Sequence, residues 1–207
     1  MIKAQHHTII YPFFQWYSRW IIRRHFHHVV TEGIVQESNR SILLVANHIS
    51  WWDGFWALYL NIKVFHRRFH FMMLEEQLRK YWYFSRCGGF SVQKRSRRAL
   101  ESLDYASKLL QNPKNLVLIF PQGEIRSQQQ GNVHFEKGVE HILQHIGLDT
   151  VQIVFLISLT DYFTHKKPVL TFYLHEYTEL ETSTDKLKTA FSEFYISCQN
   201  LQSKIAE

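Results

Sequence analysis

The chain has 207 residues and a mass of 24.9 kDa, enough for one sizeable domain and short for two. Aromatic side chains reach 15%, an excess that implies contact with something apolar, and residues 1–98 hold 15 Lys/Arg against 5 Asp/Glu, which points to an anionic membrane surface or nucleic acid as partner of that half. Two cysteines, Cys87 and Cys198, are too few for a disulfide framework or a thiolate metal site and fit a reducing compartment; no apolar run approaches the roughly 18–20 residues of a spanning helix, and the start lacks signal-peptide character.

Residues 8–30, "TIIYPFFQWYSRWIIRRHFHHVV", contain no Asp or Glu. A helix starting near Pro12 sets Phe13, Trp16, Tyr17, Trp20 and Ile21 along one side and Arg19, Arg23 and His27 along another. Such a helix either lies in a membrane interface, with Trp and Tyr at the headgroup level and Arg reaching phosphates, or packs its aromatic side on the core. The expected organisation is an N-terminal amphipathic interfacial helix over 1–31 and a single α/β domain over 32–207.

A short extended segment is expected at 34–36, then the strand "SILLVA" at 41–46, a helix from Asp53 to Asn61, the strand "FHFMML", a helix from Glu75 to Phe84 and a brief strand "FSV" after Gly88 and Gly89. Residues 97–111 place Leu100, Leu103, Ala106, Leu109 and Leu110 on one helical face, with Ser96 as N-cap and Pro113 just beyond the end. "NLVLIF" reads as a buried strand. A helix from Gly138 to His145, strands at 151–159 and 169–177 and an amphipathic helix from Asp185 to Ser203 follow. This order predicts an α/β fold with a mixed, largely parallel sheet flanked by helices.

Ligands in open α/β sheets collect beyond the carboxyl ends of strands. "NHISWWD", Asn47 to Asp53, follows "SILLVA"; "PQGEIRS" follows "NLVLIF"; and "GGFSVQKRSRR" joins glycines to Lys94, Arg95, Arg97 and Arg98. Histidine takes a proton near neutral pH, and a carboxylate on its other ring nitrogen fixes the tautomer. His48 and Asp53 make that pair if His48 sits in the turn and Asp53 opens the helix and bends back. Asp53 could equally serve only as an N-cap. No Ser or Cys has the setting of a nucleophile, so the pair would activate a hydroxyl supplied by the substrate. His25, His27 and His28 do not aim three imidazoles at one point, no HExxH occurs, and no metal is expected.

"NHISWWD" contains the H-x4-D signature and resembles the first motif of the glycerolipid acyltransferases, the family of lysophosphatidic acid and glycerol-3-phosphate acyltransferases. "GGFSVQK" is similar to the second motif, "FPQGEIRS" to the third and "FEKGV" at 135–139 to the Phe-x-x-Gly segment that follows, so the likeness spans about residues 40–160. The resemblance implies transfer of a fatty acyl group from acyl-CoA or acyl carrier protein to a hydroxyl of a lysophospholipid or related lipid. The site would lie on the membrane surface, peripheral on its cytoplasmic face, and no cofactor would be needed. It makes His48 the general base and Asp53 its orienting carboxylate. Gly89, Phe90, Lys94, Arg95, Pro121, Gln122, Gly123, Arg126, Lys137 and Gly138 become substrate-binding candidates.

The chain departs from the pattern. Gln122 replaces the usual Glu, Glu124 stands where Thr is usual, Ile125 lengthens the interval to Arg126, Lys94 replaces an arginine, and "QIVFLISL" lacks the fourth motif's proline. Two other readings follow: a catalytically altered lipid-binding relative, and a basic nucleic-acid-binding protein, although no helix-turn-helix, zinc-finger or RNP-like pattern occurs.

Overall fold

In the computed structural model, residues 1–207 are described except 94–95, 97, 131–132, 137, 148, 180–182 and 206–207. Unbroken burial over Ser41–Ala46 marks β2, whose apolar run is what a strand covered on both faces requires. Its parallel neighbours are β5 (Asn115–Ile119) and β6 (Val151–Asp161). Beyond β5 lie β3 (Arg68–Leu74) and β4 (Gly89–Val92), also parallel. On the other side β7 (Val169–Tyr177) runs antiparallel to β6, and β1 (Val29–Glu32) parallel to β7. The sheet order is β1-β7-β6-β2-β5-β3-β4, the mixed, largely parallel arrangement the alternating pattern predicts.

Helices cover both faces. Leu43 and Val45 of β2 point into a core shared with α4 (Arg98–Leu110), α5 (Gly138–Gln144) and α6 (Thr184–Gln202). Ile42, Leu44 and Ala46 point the other way, into a core shared with α1 (Ile10–His25) and α2 (Asp53–Leu60). Residues 2–6 run antiparallel beside β4, with Ser91 N–H donating to the Ile2 carbonyl at 2.9 Å and Gly88 N–H to that of Gln5 at 2.9 Å. An edge strand is thereby covered.

The structure differs from the sequence expectation in four places. Residues 34–36 form no strand; β1 comes earlier, and the chain leaves it through Gly33, whose φ of +92° and approach to Leu174 exclude a side chain. The helix expected from Glu75 to Phe84 is α3 (Glu75–Lys80) followed by a separate 3-10 turn, Trp82–Arg86. Leu100 is exposed, and the buried stripe of α4 is Ser102, Leu103, Ala106, Ser107 and Leu110. Its serines tolerate burial because their hydroxyls donate to the Arg98 and Leu103 carbonyls one turn back. The aromatic stripe of α1 divides. Ile21 turns inward with Ser18 and Ile22, while Phe13, Trp16 and Trp20 remain exposed. Ser18 Oγ donates to the Phe55 carbonyl at 2.6 Å and ties α1 to α2. Among the described residues no helix is long and apolar enough to cross a membrane.

His70 of β3 is 4% exposed, and its interaction with the Asn115 side chain only partly offsets that burial. Burial, reinforced by His6 and Arg68, brings its pKa down to about 3. The unfolded chain binds this proton below about 6.5 and the folded chain does not, so stability falls as pH drops from 6.5 toward 3, by up to about 1.4 kcal/mol per pH unit. His70→Phe removes the titrating ring. Thermal melts between about pH 7 and 5 are expected to show a flatter dependence of the midpoint for this variant; an unchanged slope would assign the acid sensitivity to other groups.

Candidate active site

The turn between β2 and α2 carries His48 and Asp53. His48 Nδ1 lies 2.7 Å from Asp53 Oδ2, and the same oxygen accepts the backbone N–H groups of Ile49 at 2.7 Å and Ser50 at 2.9 Å. Asp53 is the first residue of α2, yet its carboxylate reaches back over the preceding turn and caps no helical N–H. The N-cap alternative is therefore replaced by a more specific arrangement. When Asp53 is ionised its carboxylate only accepts, and the contact then assigns the proton to Nδ1 and the lone pair of the neutral ring to Nε2. Asp53 is 4% exposed; burial is the largest influence and pushes its carboxyl up, against the pull of His48 and the two N–H groups. Among the described residues its Oδ1 has no partner.

Three further contacts fix the imidazole. Phe120, the residue after β5, stacks on the ring at 4.1 Å between centroids and 14° between planes. Gln122 Oε1 accepts the His48 backbone N–H at 2.7 Å, and the Arg126 N–H donates to the His48 carbonyl at 2.8 Å. The first and third motifs are thus stitched together at the carboxyl ends of adjacent strands. The His48 side chain keeps 21% of its surface exposed, so the ring is held and still reachable.

Asn47 had no role in the sequence reading. Its amide bridges to β6, donating to the Ser158 carbonyl at 3.0 Å and accepting the Ser158 N–H at 2.8 Å, so the turn leaves the sheet at a defined point. From the other side the loop after β5 is anchored through Gln128, which exchanges hydrogen bonds with Thr160 and accepts from Tyr195 and Gln199 of α6. Asn and Gln signal such clamps only through burial, which the sequence does not display.

The other candidates fall into separate groups. Pro121, Gln122 and Gly123 border His48; Gly123 takes a left-handed φ of +66°, and the Pro121 carbonyl accepts from Glu136 N–H. Arg126 is half exposed and pairs with Glu124, the residue at the family's threonine position. Phe90 is fully enclosed in the core and has no side-chain surface to offer a ligand, and a Cβ at Gly89 would collide with the Phe84 carbonyl. Their part is packing. Gly138 opens α5, where a Cβ would press on Leu103. Lys94, Arg95, Arg97 and Lys137 lie outside the described residues. Cys87 and Cys198 are buried, and burial pushes both thiols up to about 12, too high for a nucleophile at neutral pH.

Beside the catalytic turn, Trp51, Trp52 and Phe55 join Phe13 and Tyr17 of α1 and Tyr83 around a groove of about 230 Å³. Tyr17 and Phe55 meet edge to face at 5.6 Å, so the groove is built across the contact between α1 and α2. Trp51 and Trp52 belong to the same seven residues as His48.

No curated protein matches the chain. Among solved structures it is similar to the 1-acyl-sn-glycerophosphate (LPA) acyltransferase PlsC from Thermotoga maritima, with a TM-score of 0.60 at 20% identity, covering 95% of this chain and 80% of that one. That likeness is one of fold. The family model described as Acyltransferase matches residues 6–157, a span that includes α1, the His48–Asp53 turn and the loop from Pro121 to Arg126. With most of its length matched, the chain belongs to the acyltransferase family.

Proposed function

We propose that the protein transfers a fatty acyl group from an acyl thioester, on CoA or acyl carrier protein, to a hydroxyl of a lysophospholipid or related lipid. The observation that carries this reading is the 2.7 Å contact between His48 Nδ1 and Asp53 Oδ2, which leaves Nε2 as the basic nitrogen of an accessible ring. His48 Nε2 takes the acceptor's hydroxyl proton as its oxygen attacks the thioester carbon. The tetrahedral intermediate then expels the thiolate, which recovers the proton from the imidazolium. Asp53 holds the ring and stabilises its charged form.

The oxyanion needs donors that are not already engaged. The N–H groups of His48, Ile49 and Ser50 are all used within the site. We assign the role to the Gln122 amide, whose oxygen is fixed on His48, and to the Arg126 guanidinium. Arg126 would also receive a phosphate of donor or acceptor, but its charge is shared with Glu124. An anionic substrate must compete with that carboxylate, which separates this loop from the family's usual third motif.

Exposed Phe13, Trp16 and Trp20 of α1, with Trp51 and Trp52, suit the headgroup region of a membrane. Arg19, Arg23 and Arg24 are exposed on the same helix and would face anionic lipid. We infer peripheral attachment through α1, which brings a membrane-borne acceptor to the mouth beside His48.

Incubation with labelled acyl-CoA or acyl carrier protein and a total lipid extract is expected to yield an acylated lipid, identified by mass spectrometry; no product with either donor would favour a lipid-binding relative. His48→Ala is expected to lower turnover by ~10²–10⁴-fold without unfolding. Asp53→Asn keeps the shape and removes a charge whose burial is unfavourable. Because the folded carboxyl titrates above its unfolded value, its stabilising contribution is greatest at low pH and is lost as pH rises through the folded pKa. The variant is therefore expected to lose activity by a similar factor without a lower thermal midpoint at pH 7. A large drop in midpoint with activity retained would make Asp53 a structural residue. Glu124→Thr frees Arg126 and is expected to lower KM for a phosphate-bearing substrate by up to about fivefold, the scale of an exposed ion pair; an unchanged KM would remove Arg126 from substrate binding.

A further inference from the structure

On the sheet face covered by α4, α5 and α6, away from the catalytic turn, Asp104 of α4 meets His141 of α5 and His145 just after it. His141 Nε2 lies 2.6 Å from Asp104 Oδ1, and the two imidazoles stack at 4.4 Å, as an i, i+4 pair on one helical face allows. One ligand atom from each of the three residues lies within 4.8 Å of the others. We propose that Asp104, His141 and His145 form a binding site for a divalent transition metal, Zn²⁺ foremost, that clamps α4 to α5.

The donor set suits the ion. Two imidazoles and one carboxylate are a recurrent three-ligand zinc set, with water completing a tetrahedron. His145 Nδ1 lies 2.7 Å from the His141 carbonyl, a contact that orients the ring and leaves Nε2 as its ligand nitrogen. Both histidines sit at the carboxyl end of α5, where the helix field favours a cation. Asp104 is 48% exposed on its side chain and His141 23%, so an ion enters from solvent and the site needs only a small opening of an existing contact. The sequence alone hid this set, because its carboxylate comes from a helix more than thirty residues earlier.

A second cluster, His27, His28 and His165, is less suited. The rings of His27 and His165 lie face to face at 3.7 Å and 17°, which sets their nitrogens side by side, and the cluster offers no carboxylate.

The site bears on the molecule through α5. The segment leading into that helix buries Val133 and Phe135 and hands Glu136 N–H to the Pro121 carbonyl, at the base of the loop that holds His48. A metal at the α4–α5 contact stiffens that support without touching the reacting atoms.

Calorimetric titration of the full chain with Zn²⁺, freed of metal beforehand, is expected to show one equivalent bound and a raised thermal midpoint. Co²⁺ should give the intense visible absorption of a tetrahedral site. His145→Ala removes one ligand and leaves the Asp104–His141 contact, and Asp104→Asn keeps the side-chain shape. Since loss of an outer partner of a ligand already costs up to about 100-fold in affinity, loss of a ligand is expected to cost at least about that much. His165→Ala is expected to leave binding intact. Absence of binding, binding unchanged in both His145→Ala and Asp104→Asn, or binding lost in His165→Ala would each overturn the assignment.

Discussion

One carboxylate oxygen organises this molecule's chemistry. Asp53 Oδ2 accepts three donors at 2.7–2.9 Å: a ring nitrogen of His48 and the N–H groups of the two residues between them in the turn. A buried anion needs donors, and bringing three of them to Oδ2 wraps the turn around the carboxylate, while Oδ1 has no partner among the described residues. That constraint gives a histidine after a strand a fixed ring position, and it is the geometry on which the proposed proton transfer rests.

The rest of the site follows from keeping that turn in register with the sheet. Asn47 pins its entrance to β6 by two hydrogen bonds, and Gln122 and Arg126 pin its middle to the loop after β5. Each contact joins chain segments more than seventy residues apart, and each lies at the carboxyl end of a parallel strand, where adjacent crossovers leave a crevice. Gln in place of Glu at 122 is coherent with this geometry. The position is 6% exposed and its duty toward His48 is to accept an N–H, which an amide oxygen does without a second buried negative charge beside Asp53.

Much of this was legible before coordinates, for identifiable reasons. The strands at 41–46, 151–161 and 169–177 announce themselves through apolar runs too long for exposed loops, and "NHISWWD" stands out because its polar residues interrupt such a run. The direction of the Asp53 side chain was not legible: an aspartate opening a helix caps it in most settings, and only the turn geometry shows it facing backward. Phe90 illustrates the reverse. Its motif position suggested a substrate contact, whereas it faces the core beneath α4, edge to face with Tyr105 at 5.4 Å, and keeps no exposed surface. Leu100 and Ile21 went astray together, because helical periodicity says which residues share a face and not how wide a stripe the neighbouring layer will cover.

The division of α1 is what the proposed lipid contact rests on. A helix that packed all its aromatics would be an ordinary member of the core, and one that packed none would have no fixed relation to the active site. Ser18 resolves the conflict: a small residue lets α1 approach α2 closely, and its hydroxyl, buried completely, must find an acceptor and finds the Phe55 carbonyl. Phe55 lies two residues after Asp53. The exposed aromatics of α1 are therefore positioned relative to His48 by that hydrogen bond, by Phe14 and Tyr17 against Phe55, and by the packing of Ile21 and Ile22. Aromatic excess and positive charge in the first half of the chain, ambiguous as composition, become on α1 a set of exposed tryptophans and arginines joined to the helix that follows the His48 turn.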